Sequence, residues 1–130
     1  MYPITIDGIK YRSSEHYFQI YKLNVPNNDI NKKIQESMMT MTPAQVAKQG
    51  RDRSIQIRND WDKIKKEVML SALRAKFTQH DDLKQVLLNT QDAVLVERSP
   101  YDRIWGIDDK GIGNNFLGLL LMQVRDELRK

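Results

Sequence analysis

Apolar residues recur along this chain at two spacings. In Ile4-Thr5-Ile6-Asp7-Gly8-Ile9-Lys10-Tyr11 they form two short β-prone runs around Asp-Gly. That dipeptide suits a two-residue hairpin, because glycine tolerates positive φ. Beyond it the spacing lengthens to that of helices. Ser13 and Ser14 stand ready to cap a helix from about Glu15 to Lys22, and Asn27 or Asn28 one from Asp29 to about Met39. Thr42-Pro43-Ala44-Gln45 is a stronger start signal. Thr42 accepts from the third backbone N–H, Gln45 reaches back, and proline fits the first helical position. Gly50, after Gln49, is expected to stop that helix in a left-handed conformation. The longest helix opens at Asn59 or Asp60 and reaches about Phe77, with Trp61, Ile64, Val68, Leu73 and Phe77 on one buried face. Asp81 or Asp82 starts another through Leu83, Val86, Leu87 and Leu88, and Ala93-Val94-Leu95-Val96 reads as a short buried strand. Ser99 to Gly113, broken by Pro100, Gly106, Gly111 and Gly113, reads as a long loop of the kind that often carries function. A closing helix runs from about Asn115 to Leu128. The pattern predicts an α+β fold, mainly α-helical, with six helical segments and three short strands.

No linker, repeat or low-complexity tract interrupts the 130 residues, so a single domain over 1–130 is expected. Lysine and arginine number 21 against 17 acidic residues, a net charge of +4. That balance favours phosphate-bearing partners yet falls short of a polybasic binder. Cysteine is absent and only His16 and His80 could ligate through nitrogen, so disulfides, thiol catalysis and thiolate zinc sites drop out. No metal or cofactor is expected. The longest apolar run, Phe116 to Met122, is far shorter than the roughly 20 residues of a membrane-spanning helix, so no membrane partner is expected. Met1-Tyr2-Pro3-Ile4 lacks the layout of a signal peptide, which makes the cytoplasm the expected compartment.

Three stretches set polar residues among apolar ones. In Ser14-Glu15-His16-Tyr17-Phe18-Gln19, Glu15 is either a solvated helix-start acid favoured by the dipole or a proton-transfer group in a pocket. His16 is either a structural hydrogen-bonder or an acid. Lys48-Gln49-Gly50-Arg51-Asp52-Arg53 with Arg58 gathers four cations within 11 residues, either solvated or able to hold phosphate. Trp61 and Lys65, four apart, share a helical face. Glu97-Arg98-Ser99-Pro100-Tyr101-Asp102-Arg103-Ile104-Trp105-Gly106 places acids and an indole in a loop, where Trp105 either plugs the core or stacks on a flat heterocycle. The methionines Met38, Met39 and Met41 read as core filler. Carboxylates, indoles and a basic cluster together suit a nucleotide-like ligand. Cleavage at a ribosyl anomeric carbon passes through an oxocarbenium-like cation, which a carboxylate stabilises.

At these residues the chain resembles the NADAR (NAD- and ADP-ribose-associated, or YbiA-like) family. The likeness runs through Ser14-Glu15-His16-Tyr17-Phe18-Gln19 with Lys22, Ala47-Lys48, Gly50-Arg51, Asp60-Trp61, Lys65, Val68-Met69 and Lys76-Phe77. It continues through Leu95-Val96-Glu97, Asp102, Trp105-Gly106, Gly113, Asn115, Leu117-Gly118, Leu121-Met122 and Arg125. The resemblance implies a single YbiA-like domain and an N-glycosidase that hydrolyses a bond at a ribosyl carbon. Its implied substrates are phosphoribosylamino-pyrimidine intermediates of riboflavin synthesis, or ADP-ribosylated guanine in nucleic acid. A non-catalytic ADP-ribose or nucleotide-binding module is the alternative. By position, Glu15 and Asp102 are implied as catalytic carboxylates, Trp61 and Trp105 as pocket indoles, and Lys48, Arg51 and Asn115 as ligand contacts. The expectation is that both acids meet in one cavity walled by both indoles. Three departures stand out: no Phe-Ser-Asn-Phe-like segment precedes Pro3-Ile4, Asp108 occupies a position where the family tends to carry glycine, and Thr90-Gln91-Asp92 replaces the commoner Thr-Gly-Asp.

Overall fold

The computed structural model describes residues 1–99 and 102–130, so Pro100 and Tyr101 of the expected loop lie outside the described residues. Among those described, six helices and two strands form a mainly α-helical α+β fold. The chain divides into two compact units, Met1–Lys76 and Phe77–Lys130.

In the first unit, β1 (Ile4–Ile6) pairs antiparallel with β2 (Ile9–Tyr11), Ile4 opposite Tyr11. Asp7 and Gly8 turn the hairpin at φ 52° and 80°, the primed geometry that matches strand twist. Helix α1 (Ser14–Lys22) starts at Ser13, whose Oγ accepts from the His16 backbone N–H. His16 is fully buried. Its Nε2 lies 2.8 Å from the Met41 carbonyl and its Nδ1 2.6 Å from Ser13 Oγ. A carbonyl only accepts, so Nε2 carries the proton and Nδ1 accepts from the serine hydroxyl in the neutral ring. Both ring nitrogens are thus spent on the chain, and His16 is a structural hydrogen-bonder.

Helix α2 (Asp29–Met38) is capped by Asn28, and α3 (Pro43–Gly50) opens on the complete Thr42–Gln45 capping box. Leu23, Met38 and Val46 form a core against which Ile20, Ile34, Met41 and Ile55 pack, so Met38 and Met41 fill it as expected. Helix α1 packs on α2, α3 and β2. Helix α4 (Trp61–Gln79) buries four of the five residues expected on its face, Trp61, Val68, Leu73 and Phe77. Met69, Leu70, Ala72 and Ala75 widen that face, while Glu67, Arg74 and Thr78 line its exposed side. Gly50 departs from the left-handed stop expected of it: it is the last residue of α3, Arg51 caps the helix in right-handed geometry, and the described positive-φ glycines are Gly8, Gly111 and Gly113.

In the second unit, α5 (Asp81–Asn89) packs on α6 (Phe116–Leu128), burying Leu87 and Val124 while Val86 stays exposed. Buried Arg125 donates from Nη1 to Thr90 Oγ1 at 2.9 Å and to the Ala93 carbonyl at 2.8 Å. The strand expected at Ala93–Val96 is absent. Val94 is 77% exposed and Val96 46%, and the backbone there is served by side chains instead of a neighbouring strand. Arg125 takes the Ala93 carbonyl, while Asn115 takes the Leu95 carbonyl and the Glu97 N–H. An isolated parallel bridge, Arg98 to Ile107, is the β-like pairing that follows. Among the described residues no helix is long and apolar enough to cross a membrane.

Gln91 sits at φ 54°, a left-handed position where a side chain is strained. A glycine would hold this φ without strain. Gln91→Gly is expected to stabilise the fold by about 0.5–1 kcal/mol, relief of strain outweighing added unfolded-state entropy. Thermal denaturation checks this; an unchanged or lower midpoint contradicts it.

Candidate active site

Glu15 lies in the first turn of α1 and is half-buried. One turn on, Gln19 Nε2 donates to Glu15 Oε1 at 2.9 Å, the contact that an i, i+4 spacing on a helix permits. Lys22 stands next on the same helix and donates through Nζ to the Gly50 carbonyl of α3 at 2.9 Å. Burial pulls the Lys22 ammonium below the ordinary lysine range, the Glu15 carboxylate opposes that, and Lys65 adds to it. A carboxylate, a carboxamide and a desolvated ammonium therefore follow one another along α1. Neither Gln19 nor Lys22 was assigned a role from the sequence, although the four-residue step from Glu15 to Gln19 was the available signal.

Trp61, at the start of α4, is 6% exposed and meets Phe18 edge-on with ring centroids 4.9 Å apart. Lys65, one turn along, pairs with Asp62 at 3.3 Å. Lys48 and Arg51 are exposed at the end of α3. Arg58, fourth of the expected cations, is committed within the fold. Its Nε lies 2.6 Å from Asp60 Oδ1 and its guanidinium 4.8 Å from the Tyr21 ring centroid. That pairing holds the Asp60 carboxyl below its usual range. Two open grooves of the first unit, 410 and 370 Å³, are lined by other residues, among them Gln49 and Asp52 in the larger and Tyr11, Tyr17 and Tyr21 in the smaller.

In the second unit, Asp102 is half-buried and its Oδ1 accepts from the backbone N–H groups of Ile104 (2.9 Å) and Trp105 (3.0 Å). The same carboxylate oxygen thus shapes the turn that presents the indole. Trp105 is half-buried, 6.3 Å from Phe116 in an edge-to-face arrangement. Leu117 donates to the Trp105 carbonyl at 2.9 Å, tying the indole's backbone to the first turn of α6. Asn115, left-handed at φ 52°, spends its carboxamide on the Glu97 N–H and the Leu95 carbonyl, both at 3.0 Å. Three residues expected to serve one function, Asp102, Trp105 and Asn115, thus belong to one hydrogen-bonded loop assembly. Among the described residues no group of three or more His, Asp or Glu side chains is arranged to hold a metal.

The family model described as NADAR domain matches residues 1–129. The chain belongs to the NADAR family. It is 42% identical over 128 residues to N-glycosidase YbiA of Escherichia coli (strain K12), a match covering 98% of this chain and 76% of that protein. It is 40% identical over 126 residues to N-glycosidase Npun_R5314 of Nostoc punctiforme, covering 97% and 80% respectively. The chloroplastic riboflavin biosynthesis protein PYRR of Zea mays is 38% identical over 127 residues, which span 94% of this chain and 20% of that protein. The NMR structure of E. coli YbiA superposes with a TM-score of 0.84 at 42% identity, over 98% of this chain and 73% of that one. The relatives of similar length are thus enzymes named for hydrolysing N-glycosyl bonds.

At position 108 this NADAR domain gives its aspartate a distinct use. Asp108 Oδ1 accepts from the Ile112 and Lys110 N–H groups at 3.0 and 2.9 Å, and Oδ2 pairs with Arg103 at 2.9 Å. The Ile112 N–H, then that of Lys110 and the Arg103 guanidinium, hold its carboxyl below the ordinary 3.8. With the folded value below the unfolded one, the stability it lends is present above pH 3.8 and disappears as pH falls through the depressed value. Hydrogen exchange at the Lys110 and Ile112 amides is expected to show an acid-side loss of protection below pH 3.8 that Asp108→Asn lacks. The same acid step in the variant would count against this role.

Proposed function

We propose that this chain is an N-glycosidase that hydrolyses the bond between a ribosyl anomeric carbon and an amine nitrogen, with phosphoribosylamino-pyrimidine as its substrate. Similarity along 98% of the chain to a named N-glycosidase supports the reaction class, and the likeness to a riboflavin biosynthesis protein supports the pyrimidine. The observation that carries the residue assignment is the half-buried Glu15 carboxylate held by Gln19 beside the desolvated Lys22 ammonium.

In this reading the carbon–nitrogen bond lengthens until the ribosyl carbon is cationic. Glu15 stabilises that charge and takes a proton as water's oxygen bonds to the carbon. The departing nitrogen takes a proton from solvent and leaves as a free amine, and Glu15 returns its own proton to solvent, so one water is consumed per bond cleaved. Asp102 is assigned as the second carboxylate. Half-buried Trp105 is assigned to the flat pyrimidine, where aromatic stacking contributes about 1–3 kcal/mol per base. Trp61, 6% exposed and edge-on to Phe18, is assigned to the pocket wall rather than to stacking. Lys48 and Arg51, exposed at the end of α3, are assigned to the phosphate, which guanidinium recognises as a bidentate fork. Asn115 is assigned to shaping the loop that meets the ligand, because its carboxamide is engaged by Glu97 and Leu95, its N–H by Gly106 and its carbonyl by Leu119.

Purified protein incubated with phosphoribosylamino-pyrimidine is expected to release ribose 5-phosphate. Glu15→Gln should cut that release by at least about 100-fold, the scale of a lost acid–base group, at matched circular dichroism. Undiminished turnover in Glu15→Gln would remove Glu15 from the chemistry. ADP-ribosylated guanine in DNA, which offers the same ribosyl–nitrogen bond, is assayed alongside: release from it alone would transfer the assignment to nucleic acid. Binding of either compound without release would favour a nucleotide-binding module.

A further inference from the structure

The α1 face that carries Glu15 also buries a polar atom without a partner. Gln19 is 7% exposed, and the two ends of its carboxamide are used unequally. Nε2 donates to Glu15 Oε1 at 2.9 Å, whereas Oε1 has no hydrogen-bond partner. A buried acceptor without a donor destabilises a fold, and an apolar side chain of the same shape would avoid the cost. Packing alone therefore does not explain a glutamine here.

What lies against the carboxamide is α3. A Cβ added at Gly50 would collide with Oε1, Cδ and Nε2 of Gln19, so the absence of a side chain at position 50 is what lets the amide rest on the α3 backbone. The Gly50 carbonyl is in turn gripped by Lys22 Nζ at 2.9 Å, one turn along α1 from Gln19. Lysine, glycine and glutamine thus lock the two helices together and leave the amide N–H directed at Glu15. Glutamate has three rotatable side-chain bonds, and a half-buried one without a tie samples several rotamers, which matters because a misplacement of about 1 Å costs about 100-fold in rate.

We propose that Gln19 is a positioning residue that fixes the Glu15 carboxylate for reaction, and that Gly50 is the seat that holds the Gln19 carboxamide in place. This rests on the reading of Glu15 as a catalytic carboxylate. It accounts for both the unpartnered oxygen and the bare α-carbon, which the fold by itself leaves unexplained.

The test is a set of variants assayed on phosphoribosylamino-pyrimidine. Gln19→Leu keeps the volume and removes the donor; kcat is expected to fall by about 10- to 100-fold with KM within about twofold. Its melting temperature should hold or rise, since the unsatisfied oxygen is gone. Gly50→Ala displaces the carboxamide from the other side and should lower kcat with Gln19 present, yet cost nothing further in the Gln19→Leu background. Full kcat in Gln19→Leu with Glu15→Gln inactive overturns the positioning role alone, whereas an active Glu15→Gln overturns the reading beneath it. Additive losses in the double variant overturn the seat. A readout independent of turnover is the Gln19 side-chain amide signal in a nitrogen-15 NMR spectrum. It is expected to shift when Glu15→Ala removes the acceptor, and an unmoved signal overturns the contact.

Discussion

Helix α3 meets α1 at a position where it carries no side chain. At Gly50 the α3 backbone comes near enough to α1 that the Gln19 carboxamide fills the space a methyl group would need, and Lys22 fastens the same residue through its carbonyl. This polar interlock stands beside the hydrophobic core of Leu23, Met38 and Val46, which draws the same helices together without fixing how each is turned about its axis. Hydrophobic burial is nondirectional; hydrogen bonds are not. The rotation of α1 decides where Glu15 points. At the other end of that helix, Ser13 and Met41 spend both nitrogens of His16, so the residue beside Glu15 is unavailable for chemistry and serves to anchor.

Much of the fold was legible in the letters because it is local. The Asp7-Gly8 turn, the Ser13 and Asn28 caps and the Thr42–Gln45 box are written in residues a few positions apart, and each forms as the spacing predicts. What depended on distant partners was misread. Ala93–Val96 has the composition of a buried strand, yet composition cannot reveal that Asn115 and Arg125 would take its backbone groups in place of a neighbouring strand. Gly50 has the look of a helix stop, while its real use is a close approach to a residue 31 positions away. Helix α4 keeps the stripe its sequence shows, widened from Val68 onward because Ala72 and Ala75 between the large residues are buried too.

The candidate site divides along the same line. Its residue types were named from the family likeness, which implied roles for Glu15, Trp61, Asp102 and Trp105. Their supports were not. Gln19 and Lys22 lay within the recognised stretch without a role, and Asp102's grip on the Trp105 backbone is a property of a turn that only coordinates reveal. The departures from the family pattern also gain physical content. Asp108 supplies a carboxylate that ties Lys110, Ile112 and Arg103 together, and Gln91 holds a left-handed conformation that strains its side chain.

If hydrolysis proceeds by water addition to a ribosyl cation at the carboxylate of Glu15, the origin of the new oxygen is decisive. Turnover of phosphoribosylamino-pyrimidine in oxygen-18 water, quenched early and read by mass spectrometry, measures this most directly. The account requires one heavy oxygen in the ribose 5-phosphate, attached at the former glycosidic carbon, with the free aminopyrimidine unlabelled. Label in the pyrimidine, or ribose phosphate released without it, would contradict the account.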